Sequence, residues 1–415
     1  MESPAVSNNF SLPVKDFDYP LPQERIAVYP KEQRDSSKLL VYKNGCIQDC
    51  VYRQIDDFLS TGSLLVFNNT RVVQARLHFK TTAGSTVEIF CLEPYDKQIE
   101  VNQAMQVTGS LKWKCLVGDL KKWKEEWINL EIDSAEQAIF LSAKLVAREA
   151  DTFVVEFAWT PATLTFAEIL EKAGKIPLPP YIKRELSEED KKRYQTIYAQ
   201  HEGSVAAPTA GLHYTPEIFD RLRDKNIAVD YVTLHIGAGT FKPIKTETVA
   251  DHDMHSEQLV VEKAFIEKLI AYLEKGVVAV GTTSLRTMES LYWLGLRVQQ
   301  DLFDPQDAVA VKQWDPYNLE ASISAKEALG ALVAFLESSG QEIMLCRTQL
   351  LIVPGYDWKI VNVLATNFHQ PKSTLVMLVA AFIGNNWREI YQHALDNDYR
   401  FLSYGDGSLL FREKV

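Results

Sequence analysis

Little in this chain can be held together by sulfur. Its 415 residues include five cysteines, without the dense spacing of a disulfide framework. Long apolar runs are also missing. The longest, Leu375 to Ile383, is far short of a membrane span, so no membrane partner is expected. Met1 to Phe10 has neither a basic flank nor an apolar core, so a secretory signal is not expected. Positive charge is not in excess: 44 Lys and Arg face 55 Asp and Glu, a net charge of −11. That balance argues against a general nucleic-acid binder but leaves room for a local basic face. A dinucleotide fingerprint is lacking too. His235-Ile236-Gly237-Ala238-Gly239-Thr240-Phe241 carries Gly-x-Gly after a strand-like run, but no third glycine, and Pro243 follows too soon for a helix. This excludes a Rossmann cofactor site and with it the common dehydrogenase and methyltransferase readings. There is no internal repeat or low-complexity tract. A reduced, cytoplasmic enzyme is the expectation that remains.

What is present is ordinary globular composition, 46% hydrophobic and 24% charged, at a length that suggests two domains or a core with an insertion. From Val72 to Phe157 the chain reads as short strands, Val72–Phe79, Thr86–Leu92, Lys112–Val117, Trp127–Ile132, Ala138–Ala143 and Thr152–Trp159. They are rich in β-branched and aromatic residues. From Thr165 onward helices and strands alternate. Phe166–Ala173, Pro216–Lys225, Glu262–Lys275 and Ala325–Glu337 have helical spacing, and Ser284 could cap a helix to Leu294. Ile227–Ile236, Val277–Val280, Gln349–Val353 and Lys359–Leu364 look like strands. Ser373 is placed to cap a last helix. The fold class expected is an α/β body, residues 1–71 and 158–415, with an inserted all-β, barrel-like domain over 72–157. The weakly patterned stretch 297–345 is expected as a surface elaboration of the body.

Several clusters could carry chemistry. Gly281-Thr282-Thr283-Ser284-Leu285-Arg286 joins a strand to a helix, and helix N–H groups, hydroxyls and an arginine favour an anion. The plain alternative is a capped helix whose Arg286 pairs with Glu289. Ser204 to His213 is a run of small residues that lets a ligand approach the backbone. It ends in His213 just before a helix N-terminus, where a neutral imidazole is favoured. Asp251-His252-Asp253-Met254-His255-Ser256-Glu257 offers acid–base groups, and conceivably metal ligands, although no His-Glu-x-x-His spacing occurs. Asn367-Phe368-His369 follows a strand, and Tyr404-Gly405-Asp406-Gly407 is a turn that bears a carboxylate. Lys112-Trp113-Lys114 and Lys121-Lys122-Trp123-Lys124 resemble a nucleic-acid face with stacking groups, with a solvated hairpin as the alternative.

These motifs together resemble one family, the S-adenosylmethionine:tRNA ribosyltransferase-isomerases of queuosine biosynthesis. The matching segments are Leu65 to Val72, Ile176 to Ile182, Tyr194 to Tyr198, Ala206 to His213, Thr233 to Phe241, His255 to Glu257, Val280 to Arg286, Thr366 to His369 with Ser373 to Leu375, and Tyr399 to Asp406. They run in the family's order from about Tyr29 to Phe411. Gln74 and Gln370 depart from the family's usual Pro and Leu beside its motifs, and 297–345 is longer than usual.

The resemblance implies transfer and isomerisation of the ribosyl part of S-adenosylmethionine onto 7-aminomethyl-7-deazaguanine at the tRNA wobble position. Epoxyqueuosine-tRNA, adenine and methionine would be the products. It implies no bound cofactor, since S-adenosylmethionine is consumed as a substrate, and no metal. The tRNA anticodon stem-loop and S-adenosylmethionine are the expected partners of a monomer. The sulfonium acidifies hydrogens on the ribose 5′ carbon, and a base of near-neutral pKa could remove one. Candidates for acid–base work are His213, His255, Glu257, His235, His369 and Asp406, with His213 and His255 ranked first. Substrate contacts are expected from Asn69, Arg71, Tyr181, Pro208, Thr209, Gly211, Gly237, Gly239, Thr282, Thr283, Arg286 and Asn367. Lys112, Lys114, Lys121, Lys122 and Lys124 are expected to face tRNA. A non-catalytic tRNA-binding paralogue and a metal-dependent hydrolase built on Asp251–Glu257 are the alternatives.

Overall fold

The computed structural model describes residues 11–96, 99–132, 137–149, 151–237, 239, 244–305 and 309–412. The body strands are β1 (Lys38–Lys43), β2 (Cys46–Val51), β3 (Leu64–Asn68) and β4 (Thr70–Val72). The chain then enters β5 (Arg76–Lys80), β6 (Thr86–Pro94), β7 (Ser110–Val117), β8 (Ile128–Ile132), β9 (Ile139–Glu149) and β10 (Thr152–Thr160). It returns to the body with β11 (His201–Ser204), β12 (Ala228–His235), β13 (Glu257–Glu262), β14 (Val277–Val280), β15 (Ile343–Thr348), β16 (Val363–Asn367) and β17 (Gly407–Phe411). The helices up to the middle of the chain are α1 (Val101–Met105), α2 (Phe166–Ala173), α3 (Glu188–Arg193), α4 (Pro216–Asp224) and α5 (Lys263–Tyr272). Then come α6 (Thr282–Gln299), α7 (Asp315–Asn318), α8 (Ala325–Ser339), α9 (Thr374–Ile383) and α10 (Trp387–Asp396).

Among the described residues the body is built on a nine-stranded mixed sheet in the order β15-β13-β12-β3-β14-β16-β17-β1-β2. β12, β3, β14 and β16 are mutually parallel along its centre. The period-two alternation of a strand explains why the central segments are apolar at every position. On β3, Leu64 and Val66 face one core together with α5, α6, α8, α9 and α10. Leu65 and Phe67 face the other, with α4 beneath them. α6 is buried continuously from Ser284 to Arg297, so it runs through the body rather than over it.

The inserted unit is a closed antiparallel barrel in the order β10-β7-β6-β5-β8-β9, as the α/β-plus-barrel reading expects. Alternation points Trp113 and Cys115 into the barrel, with Lys112 and Lys114 on the outside. Phe166, Ile169 and Leu170 of α2 join the same core, with Phe166 ring centroids 5.0 Å from Trp113 and 5.5 Å from Phe157. The Thr165 hydroxyl accepts from the Glu168 N–H and the Glu168 side chain reaches back, so α2 starts on a capping box.

Some expected elements differ, and backbone hydrogen bonding gives the reason. Gln349–Val353 is not a strand. Its N–H groups go instead to the carbonyls of Val311 and Gln313 and to the hydroxyls of Thr348 and Tyr317. Its apolar side chains are buried in the body core all the same. In Lys359–Leu364 the first three N–H groups donate to the buried Glu289 carboxylate at 3.1, 3.0 and 2.9 Å, and the strand begins only at Val363. Ser284 is not a cap. It lies inside α6, and its hydroxyl bonds back to the Val280 carbonyl at 2.9 Å. The stretch 297–345 is integral to the body rather than a surface elaboration: Leu329, Leu332 and Leu336 of α8 are fully buried. Gly295 of α6 sits so close that a Cβ there would meet the Ala328 carbonyl oxygen at 2.0 Å.

Candidate active site

Parallel strands deliver their carboxyl ends to one edge of a sheet, the favoured place for ligands in α/β folds. Here β14 and β16 are paired through Val280 and Ala365, so Gly281–Thr283 and Thr366–His369 leave the sheet side by side. Above them lies a pocket, part of it open to solvent. Gly281 to Thr283, Thr366, Asn367, His369 and Gln370 form one wall. Ala206 to Ala210 form another, with Tyr181, Tyr194, Leu402 and Ser403 opposite.

The structure therefore brings Tyr181, Pro208, Thr209, Thr282, Thr283, Asn367 and His369 together. Tyr181 shares a 2.5 Å hydrogen bond with the Ser403 hydroxyl. Thr209 donates to Asn367 Oδ1 at 2.8 Å. His369 Nε2 lies 2.9 Å from the Thr366 hydroxyl, and burial takes its imidazole down to about 3. Tyr194, Ser403 and Gln370 also line the pocket. Sequence reasoning quoted them only within matched segments or as a departure, because nothing local marks a residue that arrives from across the fold.

The remaining expected site residues lie elsewhere. His213 lines a smaller cavity with Lys31, Arg34, Arg193 and Tyr404. It stacks on Tyr52 at 4.3 Å, and burial lowers its pKa to about 4. His235 faces Thr70, with Nδ1 3.3 Å from the hydroxyl, and burial takes it to about 3. With Gly237, Glu257 and Arg347 it lines a third cavity, where Glu93 of the barrel meets the body. Asp406 spends its carboxylate on the backbone N–H groups of Lys38 and Arg400, both at 2.8 Å.

Arg286 is not a free anion hook and does not pair with Glu289. It points away from the Thr282–Thr283 turn and donates to the Glu257 carboxylate, and both side chains are buried. His255 Nε2 is 3.2 Å from the other oxygen of Glu257. Burial alone would raise that carboxyl, but Arg286 and His255 outweigh it and hold it at about 2. Gly239 packs on His255, where a Cβ would come 2.5 Å from the ring. Gly211 packs on Tyr198, where a Cβ would lie 1.8 Å from the hydroxyl. Both glycines thus answer to packing. Asn69 accepts from the Thr233 hydroxyl at 2.7 Å, and Arg71 is half exposed, 3.9 Å from Glu202.

The Asp251–Glu257 cluster does not converge on a point. Thr248 donates to Asp251 at 2.6 Å, and His255 turns to Glu257. Among the described residues no group of three His, Cys, Asp or Glu side chains is placed to hold a metal ion. On the barrel, Trp113 and Trp123 fill the core, so neither can stack on a base. Lys114 pairs with Glu149 at 2.8 Å and Lys122 with Asp119 at 2.7 Å, while Lys112, Lys121 and Lys124 are exposed. No helix among the described residues is long and apolar enough to cross a membrane.

Comparison with known proteins covers almost the whole chain. The family described as queuosine biosynthesis protein matches residues 14–410. A Thermotoga petrophila protein named S-adenosylmethionine:tRNA ribosyltransferase-isomerase is 38% identical over 403 residues, 96% of this chain and 99% of its own. One of the same name from a Chelativorans species is 38% identical over 406 residues, 96% of this chain and 98% of its own. The crystal structure of a Thermotoga maritima S-adenosylmethionine tRNA ribosyltransferase aligns with a TM-score of 0.45 and 28% identity, covering 95% of this chain and 100% of that one.

Proposed function

We infer the reaction from one premise: the chain belongs to the queuosine biosynthesis protein family, which matches it from residue 14 to residue 410. It is an S-adenosylmethionine:tRNA ribosyltransferase-isomerase, like its 38% identical relatives. The proposed reaction moves the ribosyl part of S-adenosylmethionine onto 7-aminomethyl-7-deazaguanine at the wobble position of a tRNA anticodon loop. Adenine and methionine leave, and the tRNA carries epoxyqueuosine.

The observation that carries this reading is the pocket at the carboxyl edge of β14 and β16, where seven of the expected residues meet. Its aromatic side, Tyr181 and Tyr194, suits adenine. His369 is the one acid–base candidate among the six that lines it, and we assign it the proton transfer. Its imidazole is neutral at pH 7, the form from which a base must start. Its pKa of about 3 lies below the near-neutral value expected of the base, so we assign it a relay rather than a resting place for the proton. The proton taken from the 5′ carbon passes to the departing adenine rather than resting on the ring. Ring opening with loss of adenine leaves an aldehyde at C1′ and an alkenyl sulfonium at C4′–C5′. The RNA amine adds to C4′ and gives up a proton. The regenerated ylide carbon C5′ attacks the aldehyde to close the five-membered carbocycle, and the resulting alkoxide displaces methionine from C5′ to close the epoxide. The apolar and hydroxyl lining keeps water from the reactive intermediate.

The test is adenine release from S-adenosylmethionine with tRNA bearing the aminomethyl-deazaguanine base, against unmodified tRNA. Release that depends on the modified base, with the epoxycyclopentyl adduct seen by mass spectrometry, is expected. His369→Gln should slow it at least about 100-fold, within the range of general acid–base contributions. Turnover near the wild-type rate in that variant, with His213→Ala or His255→Ala inactive instead, would move the assignment. Tight tRNA binding without release would point to a non-catalytic paralogue.

For the RNA, exposed Lys112, Lys121 and Lys124 support a local basic face on an acidic body, with Lys114 and Lys122 beside them in ion pairs. Reversing the three exposed charges to Glu is expected to weaken tRNA binding about 10-fold or more and to flatten its salt dependence. Unchanged binding would remove the barrel hairpin from the interface.

A further inference from the structure

We propose that the α6 end of the pocket binds the carboxylate of the amino-acid part of S-adenosylmethionine, with the first-turn N–H groups of α6, the Thr283 hydroxyl and the Asn367 amide as donors and no cation in the set. The inference rests on the pocket being the S-adenosylmethionine site.

The argument begins with how α6 starts. Its N-cap is Gly281, at φ +90°, a conformation that glycine adopts without strain. A glycine cap has no side chain, and none satisfies the first turn. In α2, α8 and α9 the side chains of Thr165, Ser324 and Ser373 accept a first-turn N–H, whereas α6, like α4, α5 and α10, has no capping side chain. The N–H groups at the start of an 18-residue helix are thus left for another acceptor, with the positive end of the helix dipole behind them.

Asn367 gives an independent sign of what that acceptor is. It is 2% exposed. The Thr209 hydroxyl donates to its Oδ1 at 2.8 Å, which fixes the amide so that Nδ2 points elsewhere. Nδ2 has no acceptor, nor does the Thr283 hydroxyl, and both residues line the pocket. Gly281 N–H donates to the Ala365 carbonyl at 2.8 Å, which ties the start of α6 to the strand that ends in Asn367. Donors without acceptors, brought together by two adjacent strand ends, call for an anion. The nearest arginine in sequence does not supply the charge, because Arg286 is neutralised by Glu257. A carboxylate beside its own ammonium group, as in an amino acid, matches a donor set without net charge.

The test is calorimetric binding of S-adenosylmethionine and of its decarboxylated analogue, which keeps the sulfonium and the adenosine. The wild-type protein should bind the analogue at least about 30-fold more weakly. Asn367→Asp and Thr283→Val preserve shape, so the fold is retained, and circular dichroism checks it. Each should weaken S-adenosylmethionine about 10-fold; Thr283→Val should leave the analogue unchanged, and Asn367→Asp, which adds a negative charge, should leave it unchanged or tighten it, so that the preference collapses. Equal weakening of both ligands, or no wild-type preference, overturns the carboxylate subsite while the pocket assignment stands. Failure of the wild-type protein to bind either ligand overturns both.

Discussion

Arg286→Met is expected to cost about 3–5 kcal/mol of stability, read from urea unfolding, because it removes the buried cation that Glu257 is paired with. Glu257 is 2% exposed and Arg286 5%, so water cannot replace the lost partner. Glu257→Gln alone should cost a similar amount by leaving the guanidinium unpaired. The double variant should recover much of the loss, since no buried charge remains. A coupling energy of about 2 kcal/mol or more is therefore expected from the cycle. A loss under about 1 kcal/mol in Arg286→Met would mean that the pair is screened as surface pairs are. The pair has a pH signature too. The folded carboxyl sits at about 2, below its ordinary value of 4.5. Its contribution is therefore present above about pH 4.5 and is lost as pH falls toward 2.

The second large effect comes from His213 and His235, which burial holds at about 4 and about 3, against 6.5 for an exposed imidazole. In the unfolded chain both take up protons near pH 6.5, while in the folded protein neither does until much lower. The unfolded state thus binds more protons on acidification, and stability falls with pH. It is complete above about pH 6.5 and declines from there toward pH 4. The slope is about 1.4 kcal/mol per pH unit for each residue, so these two should lose about 4 kcal/mol between pH 7.5 and pH 5, and His369, lowered to about 3 by the same burial, should add about 2 kcal/mol. The lowered carboxyls titrate beneath that window, while Glu289, Asp315 and Glu100, raised by burial, oppose the slope at its acid end. His213→Phe, which keeps the stack on Tyr52, combined with His235→Gln should remove about two thirds of that slope and leave the part that His369 supplies. An unchanged slope in that variant would show that the two rings are not held neutral by the fold.

The two results bear on the site differently. Arg286 begins one turn into the helix whose N-terminus faces the pocket, so the ion pair anchors the turn that carries Thr282 and Thr283. His213 and His235 lie in separate cavities, and their neutrality reports on packing. An acid loss of activity that follows unfolding must therefore be separated from titration of the reacting groups. Stability and adenine release need to be followed over the same pH range.

Period and composition point to an α/β body with an inserted barrel-like β domain. The alternation of Lys112, Trp113, Lys114 and Cys115 specifies a two-faced strand, and the fully apolar Leu64 to Phe67 specifies one covered on both sides. Thr165 with Glu168 marks the start of α2 to the residue. The motif segments also carried the family and the small residues that edge the pocket. What the sequence could not settle is which donors remain free once the chain has folded. His213, His235, Glu257 and Asp406 offer the same kinds of acid–base group as His369, yet long-range partners claim them: Tyr52, Thr70, Arg286, and the Lys38 and Arg400 amides. Arg286 and Glu289 suggest a pair in the sequence because residues three apart on a helix are neighbours. Glu289 instead gathers the N–H groups of Lys359 to Val361, and Arg286 crosses to β13 to meet Glu257. Hydrogen-bond capacity is a local property of each residue, but its satisfaction is decided by groups tens or hundreds of residues away. The tertiary structure alone chose the helix start and the asparagine amide that still have a bond to give.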